Sequence, residues 1–451
     1  MKTFGKLMMA AVVLFVGLQF LRPGIPAKPA TAEIQAPPEV RQILDKDCYS
    51  CHSDQRRLSW FDEVVPAYWL VRHDILTARE HLDFSTLGSK PAALQKATLY
   101  EAVNMIQLGA MPLPQFTQLH PEARVTPQEL VVLKVYLAPW TQAPSQPDNI
   151  LPGGDRKAVA APVSLAAVPP ELNGLPFDAD FESWRLISTT DRGDNNTFRF
   201  ILGNDIAFNA AQSGKVSPWP DGTRFAKIAW QQTPGSDGLV RPGGFIQVEL
   251  MVKDAQRYKQ TEGWGWGRWR GLDLKPYGND PDFVGECTGC HKPVRGDDYV
   301  YTIPITAAAS NREEAVNNRA AGPVKNPLPL SWQPITLYVD PKARTLSVLF
   351  GNDAAVSAAA AHTAQTGVSP KYPDHATLEL VTWAERDDPH WFGARIPDAP
   401  ISLEMLQVGP DVEGSIYQRF DGAGLPEHSI PSPLAAQRTA FLLSLNPAQL
   451  P

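Results

Sequence analysis

The chain has 451 residues, a net charge of −7 and 43% hydrophobic residues, enough for two to four domains with sizeable cores. The charges form no basic stripe, which argues against nucleic acid as a partner. The 43 prolines are about twice average usage and predict loops and extended linkers rather than long helices.

Residues 1–32 read as an export signal. Lys2 and Lys6 form a positive end, Leu7–Phe20 is the apolar run, and Ala30-Thr31-Ala32 offers a small-residue cleavage site. The run is shorter than the roughly 20 residues of a membrane span. Arg22-Pro23 follow it directly, so a retained N-terminal anchor is the alternative reading. Either places the body in the periplasm, soluble or anchored.

Residues 33–142 predict a helical domain. Val40, Ile43 and Leu44 lead into Cys48, and Leu94–Leu108 and Thr126–Leu137 carry apolar residues at three- and four-residue spacing. Thr126-Pro127-Gln128-Glu129 supplies an N-cap with proline at the first helical position. Residues 143–175 read as a Pro/Ala-rich linker. Strands are expected at Trp184–Thr189, Thr197–Leu202, Phe225–Gln231, Gly244–Val252 and Tyr299–Ile303, then a second linker at 307–328.

All four cysteines fall in two CxxCH motifs, Cys48–His52 and Cys287–His291. Two thiols at this spacing reach the vinyl groups of one porphyrin, and the next histidine can turn back onto the iron. A zinc site or a disulfide pair is the alternative. Two covalently attached haem c groups are therefore expected, with His52 and His291 as iron ligands. Residues 329–451 repeat 176–306. Ser183-Trp184, Thr197 and Gly203-Asn204-Asp205 recur at one constant offset as Ser331-Trp332, Thr345 and Gly351-Asn352-Asp353. Farther along, Trp230 matches Trp383 and Ile246–Glu249 matches Ile401–Glu404. The second copy has no cysteine and cannot carry covalent haem. Its expected role is structural, as a lid, a packing partner or an internal mate for the first copy.

Residues 33–142 resemble a small bacterial haem-binding domain family through Cys48-Tyr49-Ser50-Cys51-His52-Ser53, Leu82-Asp83-Phe84-Ser85, Gly109–Pro114 and Leu119-His120-Pro121. Asp83 stands where the family pattern has Asn. Met111, in a proline-flanked loop, is the candidate sixth ligand. A thioether trans to histidine raises the potential and suits electron transfer. His73, His81 and His120 are the rivals, and the bland reading of Met111 is a core side chain.

Residues 176–306 resemble the cytochrome P-460 family and its relative cytochrome c′-beta, through Ser183-Trp184, Thr197-Phe198-Arg199, Pro220–Thr223 leading to Lys227, Val248-Glu249 and Glu286–Lys292. The resemblance implies a β-sheet haem domain, a lysine cross-linked to the porphyrin at Lys227 and a distal glutamate at Glu249. The bland reading of Lys227 is a solvent-facing strand residue, and that of Glu249 a solvated one. Alternation puts Phe245, Gln247, Glu249 and Met251 on one face, and an apolar setting should raise the Glu249 carboxyl for general-base work. Arg199 is a candidate catalytic cation. Ser347 and Leu380 replace Arg199 and Lys227 in the second copy. The tryptophans of Gly263–Trp269 are expected on one strand face, walling the haem or packing the core.

The fold class is thus α+β and multidomain. A helical c-type cytochrome domain precedes two antiparallel P-460-like β domains, the second without haem. The function this implies is hydroxylamine oxidation at an open haem, with relay through the other haem to a soluble carrier such as a cytochrome c. Nitric oxide binding, with Phe245 or a tryptophan of the 264–269 run as an aromatic cap, and plain electron transfer are the alternatives. A homodimer is a further expectation.

Overall fold

The structure, a computed structural model, describes residues 2–138, 164–306, 328–362, 369–421 and 431–451. Most of the first expected linker and nearly all of the second lie outside the described residues. The chain divides into two compact units, Met1–Ala143 and Pro144–Pro451.

The first unit is helical: α1 Lys2–Leu18, α2 Pro38–Asp47, α3 Ala67–His81, α4 Ala92–Gln107, α5 Pro114–Leu119 and α6 Pro127–Leu137. Residues at three- and four-residue spacing in α2, Val40, Ile43 and Leu44, are buried as their periodicity requires. Helix α6 starts with the expected cap, strengthened into a capping box. Glu129 N–H donates to Thr126 Oγ1 (3.2 Å) and Thr126 N–H donates to Glu129 Oε2 (2.8 Å). The Tyr100 hydroxyl donates to Leu137 O at 2.6 Å and ties α4 to α6.

The second unit is antiparallel β with a repeated element order. The first half has β1 Arg185–Arg192, β2 Thr197–Gly203, α7 Asp205–Ser213, β3 Arg224–Pro234, β4 Val240–Lys253, β5 Trp264–Arg270, β6 Lys275–Pro276 and α8 Val284–His291. The second half has β7 Gln333–Asp340, β8 Thr345–Gly351, α9 Asp353–Ala360, β9 Thr377–Asp387, β10 Ala394–Gln407, β11 Ile416–Asp421 and α10 Ser432–Ser444.

The sequence repeat is a repeat of structure. The shared Gly-Asn-Asp triplet shows why. Asn204 and Asn352 each cap a helix through Oδ1, accepting the N–H of Ala207 and Ala355 at 3.0 Å. The glycine before each cap leaves room for a neighbour. A Cβ at Gly203 or Gly351 would come within 2.7 Å of Ile187 or Ile335.

Each half lends its outer strands to the other. Strands run β1–β2–β3–β4, and β4 then pairs β7 through Val240 and Val339. They continue β7–β8–β9–β10, and β10 returns to β1 through Arg395–Asp191 and Ala394–Arg192. The result is a closed ring, with β5, β6 and β11 branching from it. Its interior is one apolar core built from both halves, including Phe198, Trp230, Val248, Val348, Phe350 and Trp383.

The expected strand at Tyr299–Ile303 is not formed. Asp298 (φ 53°) and Tyr299 (φ 65°) adopt left-handed backbone there, which is incompatible with a strand. Residues 164–175, read as the end of the linker, belong to the β unit. Leu175 is buried in its core, and buried Glu171 accepts the N–H groups of Arg268 (2.8 Å) and Tyr277 (3.1 Å).

Candidate haem sites

In the first unit the CxxCH turn closes off α2. The N–H of His52 bonds Cys48 O at 2.9 Å, bringing both thiols and the imidazole to one turn. His52 Nδ1 bonds Leu82 O at 2.9 Å, so its proton is fixed there and Nε2 is left to bind iron. Burial lowers the His52 imidazole below its ordinary value, which favours the neutral ligand form. The Leu82–Ser85 motif has a physical role in this: Phe84 N–H donates to His52 O (2.8 Å) and Asp54 N–H to Ser85 Oγ (2.8 Å).

Met111 lies half-buried between α4 and α5, its N–H bonded to Met105 O at 3.1 Å. His120 is engaged elsewhere. It is buried between Phe61 and Phe116 (ring centroids 4.8 and 4.1 Å) and Nε2 lies 3.1 Å from Asp62 Oδ1. His73 and His81 are exposed.

In the second unit, α8 carries Cys287, Cys290 and His291. The left-handed turn at 298–299 aims Tyr299 O back at the histidine, whose Nδ1 it accepts at 2.7 Å. Asp298 anchors that turn. Its carboxylate accepts Lys253 Nζ (2.7 Å) and Trp219 N–H (2.9 Å). Burial, then repulsion from Lys227 and Arg268, pushes the His291 imidazole down to about 3, leaving it neutral and able to ligate metal. All four cysteine thiols are free of disulfides.

The outer face of the ring beside α8 gathers the polar candidates. Cross-strand register aligns Ile201, Lys227, Glu249 and Arg268 along β2–β3–β4–β5, with Arg199 and Ala229 the next row. Lys227 Nζ is ion-paired with Glu249 Oε2. Arg268 Nε donates to Glu249 Oε1 at 2.5 Å, and Gln247 Nε2 donates to the same oxygen at 3.0 Å. The apolar setting expected for Glu249 is therefore not found; two cations and an amide hold its carboxylate.

Burial, then the guanidiniums of Arg199, Arg268 and Arg192, push the Lys227 amine well below its ordinary value. Burial, then Arg192, lowers Arg199 to about 9, and its Nε is buried with no hydrogen-bond partner.

Two expectations about aromatic side chains are corrected. The register slips between Ala229 and Trp230, so Phe245 pairs with Trp230 and faces the interior core, away from Glu249. The tryptophans do not share one face. Trp264 and Trp266 point to the haem side with Arg268. Trp269, of opposite parity, packs on Phe177 (5.0 Å) and donates to Pro169 O (3.0 Å). Trp266 lies 4.6 Å from the His291 ring.

Sequence reading missed three contributors. Arg268 was hidden inside the tryptophan run. Tyr301 donates its hydroxyl to Cys290 O (2.7 Å) and lies edge-on to His291 at 5.1 Å. The β9–β10 hairpin of the second half reaches across to Tyr301. Trp391 packs on its ring at 5.6 Å, and His390 Nδ1 bonds its carbonyl at 2.8 Å. Trp391 is itself held by Asp194 (Nε1 to Oδ2, 3.1 Å) and lies under Arg192 (4.4 Å). No local pattern marks residues so far apart in the chain.

In the second half the matching register positions are packed among apolar side chains. Leu380 occupies the Lys227 register position, opposite Leu349 and Glu404. It is fully buried with Leu442 and Leu445, which come from α10 and the residue following it. Glu404, the counterpart of Glu249, is gripped by Arg438 of α10 and by the Tyr417 hydroxyl.

Comparison with known families agrees with this arrangement. Residues 13–139 match the model of a haem-binding domain, and residues 178–302 match that of cytochrome P460. The chain joins a haem-binding domain to a cytochrome P460 domain. No curated protein matches it. The residues fit haem in the P460 domain: paired thiols and a neutral imidazole on α8 face a wall of cations with an unpartnered guanidinium N–H. The molecule is thus a haem-binding, c-type cytochrome of P460 character.

Proposed function

We propose that the protein is a dihaem c-type cytochrome that oxidises hydroxylamine, or a related small nitrogen compound, at the haem of the P460 domain. A haem held by Cys48, Cys51 and His52 of the first domain would supply the relay to a soluble carrier such as a cytochrome c. The observation that carries this reading is Glu249, fixed between Lys227 and Arg268 on the face served by α8.

Cys287, Cys290 and His291 would hold the haem, which would supply an electron acceptor. The protein residues manage the protons. Oxidising hydroxylamine to nitrous oxide removes as many protons as electrons, so a base beside the acceptor is required. Glu249 is a carboxylate held in place and able to take those protons. The buried, unpartnered Nε–H of Arg199 is a donor for the substrate oxygen. Lys227, its amine pushed well below its ordinary value by burial, is the side chain for the porphyrin cross-link that the P-460 resemblance implies.

In the first domain, His52 and Met111 would ligate a haem attached at Cys48 and Cys51, a pairing that would suit relay. In the second half of the barrel, Leu380 and α10 fill the haem position, so that half acts as scaffold.

The test is anaerobic addition of hydroxylamine to the purified holoprotein, following haem reduction optically. Reduction is expected, and it should be lost in Glu249→Gln. No reduction in the wild type, or equal reduction in the variant, overturns the assignment.

A further inference from the structure

The segment after α1 is built into the first haem-binding domain. Gln19 makes a two-way bond with Val65: Nε2 donates to its carbonyl (3.1 Å) and Oε1 accepts its N–H (3.0 Å). The Trp69 indole donates to Leu21 O (2.8 Å), the Tyr68 hydroxyl to Pro23 O (2.5 Å) and Arg72 Nε to Gly24 O (3.1 Å). Arg22 pairs with Glu63 and lies 4.6 Å over the Tyr68 ring. Ile25 is buried with Val65, Tyr68 and Ile75.

The same strand of chain then reaches the haem turn. Lys28 N–H donates to Asp54 O (3.3 Å). The N–H groups of Thr31 and Ala32 donate to Ser85 O (3.1 and 3.0 Å), and Ala32 O accepts Gly88 N–H (2.8 Å). A Cβ at Gly88 would lie 2.6 Å from Glu33 O, so the fit is close. Ser85 and Asp54 are bonded to each other beside His52. Cleavage after Ala32 would strip α3 of these partners and uncover Val65 and Ile75. Independently, the haem-binding match begins at residue 13, inside α1.

Helix α1 has the opposite character. Phe4, Leu7, Met9, Val13 and Phe15 are all exposed, and among the described residues nothing covers them. Lys6 is the one charge from residue 4 to the helix end, and Arg22 follows at the domain side. No helix among the described residues is long and apolar enough by itself to cross a membrane. At about 26 Å, α1 falls a few ångströms short of a ~30 Å hydrocarbon core. Local thinning and a lysine reaching for the headgroups absorb a mismatch of that size.

We infer that α1 is retained in the mature protein and is seated in a lipid bilayer, with residues 19–33 as a strap that fastens this anchor to the haem-binding domain. The proposal stands apart from the hydroxylamine reading.

The test is intact mass and fractionation of the full chain from a host that matures haem c. A chain still carrying its first 32 residues is expected, in the membrane fraction, resistant to salt and alkaline washes and released by detergent. A soluble chain beginning near Glu33 overturns the proposal, as does release from the membrane by salt as a self-associated species. Two forms exported behind a foreign cleaved signal separate anchor from strap. A chain starting at Gln19 should be soluble with both haems in its mass. One starting at Glu33 should lose the first haem or melt earlier. Equal behaviour of the two forms removes the strap, and membrane retention of the Gln19 form removes the anchor.

Discussion

Arg438 grips Glu404 through two hydrogen bonds, Nε to Oε2 at 2.8 Å and Nη2 to Oε1 at 2.7 Å, at the register position that Glu249 holds in the other half. The carboxylate that faces a haem site in one half is thus an internal structural ion in the other. Glu404 is 2% exposed, so removing its partner leaves a buried charge uncompensated. Arg438→Ala should lower stability by about 3 kcal/mol in urea unfolding while leaving the haem spectrum unchanged. A change below about 0.5 kcal/mol would mean that the pair is not structural.

Lys227 carries a spectroscopic prediction. Lys227→Arg keeps the positive side chain beside Glu249 but removes the amine. The ferrous Soret band of the P460 haem should move back toward that of an ordinary haem c, and peptide mapping should show the wild-type lysine modified. An unmodified wild-type Lys227 would retire the cross-link without touching the role of Glu249.

Tyr301 links the two halves to the proximal histidine. Trp391→Ala, in the half without cysteines, should loosen Tyr301 and shift the iron–histidine stretching band or the reduction potential of the haem at His291. Tyr301→Phe should produce a smaller shift, since it loses the bond to Cys290 O but keeps the ring contacts. If both variants leave the band and potential in place, the hairpin is packing alone.

Glu379 gives a pH prediction. It is 7% exposed on β9, and burial raises its carboxyl from 4.5 to about 7. The folded state therefore binds this proton more tightly than the unfolded state. Stability is fully present below about pH 4.5 and falls as pH rises toward 7, by up to ~3 kcal/mol. Glu379→Gln should flatten that limb of the stability curve. An unchanged slope would show that the group ionises freely.

The helical first domain and the repeated element order of the β unit were legible because each rests on a local or periodic signal. Cys-x-x-Cys-His and a constant repeat offset survive without tertiary information. The face containing Lys227, Glu249 and Arg199 was legible for the same reason, since strand alternation fixes it. Phe245 was misplaced because a one-residue register slip reverses a face, and nothing in Phe245–Val248 marks the slip. The surroundings of Glu249 were misjudged because Arg268 and Lys227 come from neighbouring strands. Tyr301 and Trp391 were missed because their contact is made by chain closure across 90 residues. The contacts that residues 19–33 make with α3 and the Ser85 turn were not legible because an apolar run masks the polar contacts that follow it.

The strand ring has a consequence for how the molecule melts and associates. Since β1 is completed by β10 and β7 by β4, neither half has a finished sheet alone. The β unit should then unfold in a single transition, and a fragment cut between its halves should expose two raw strand edges prone to aggregation. The same exchange is what a twofold dimer of half-length chains would use. Joined in one chain, the two halves are permanent partners, each completing the other's sheet.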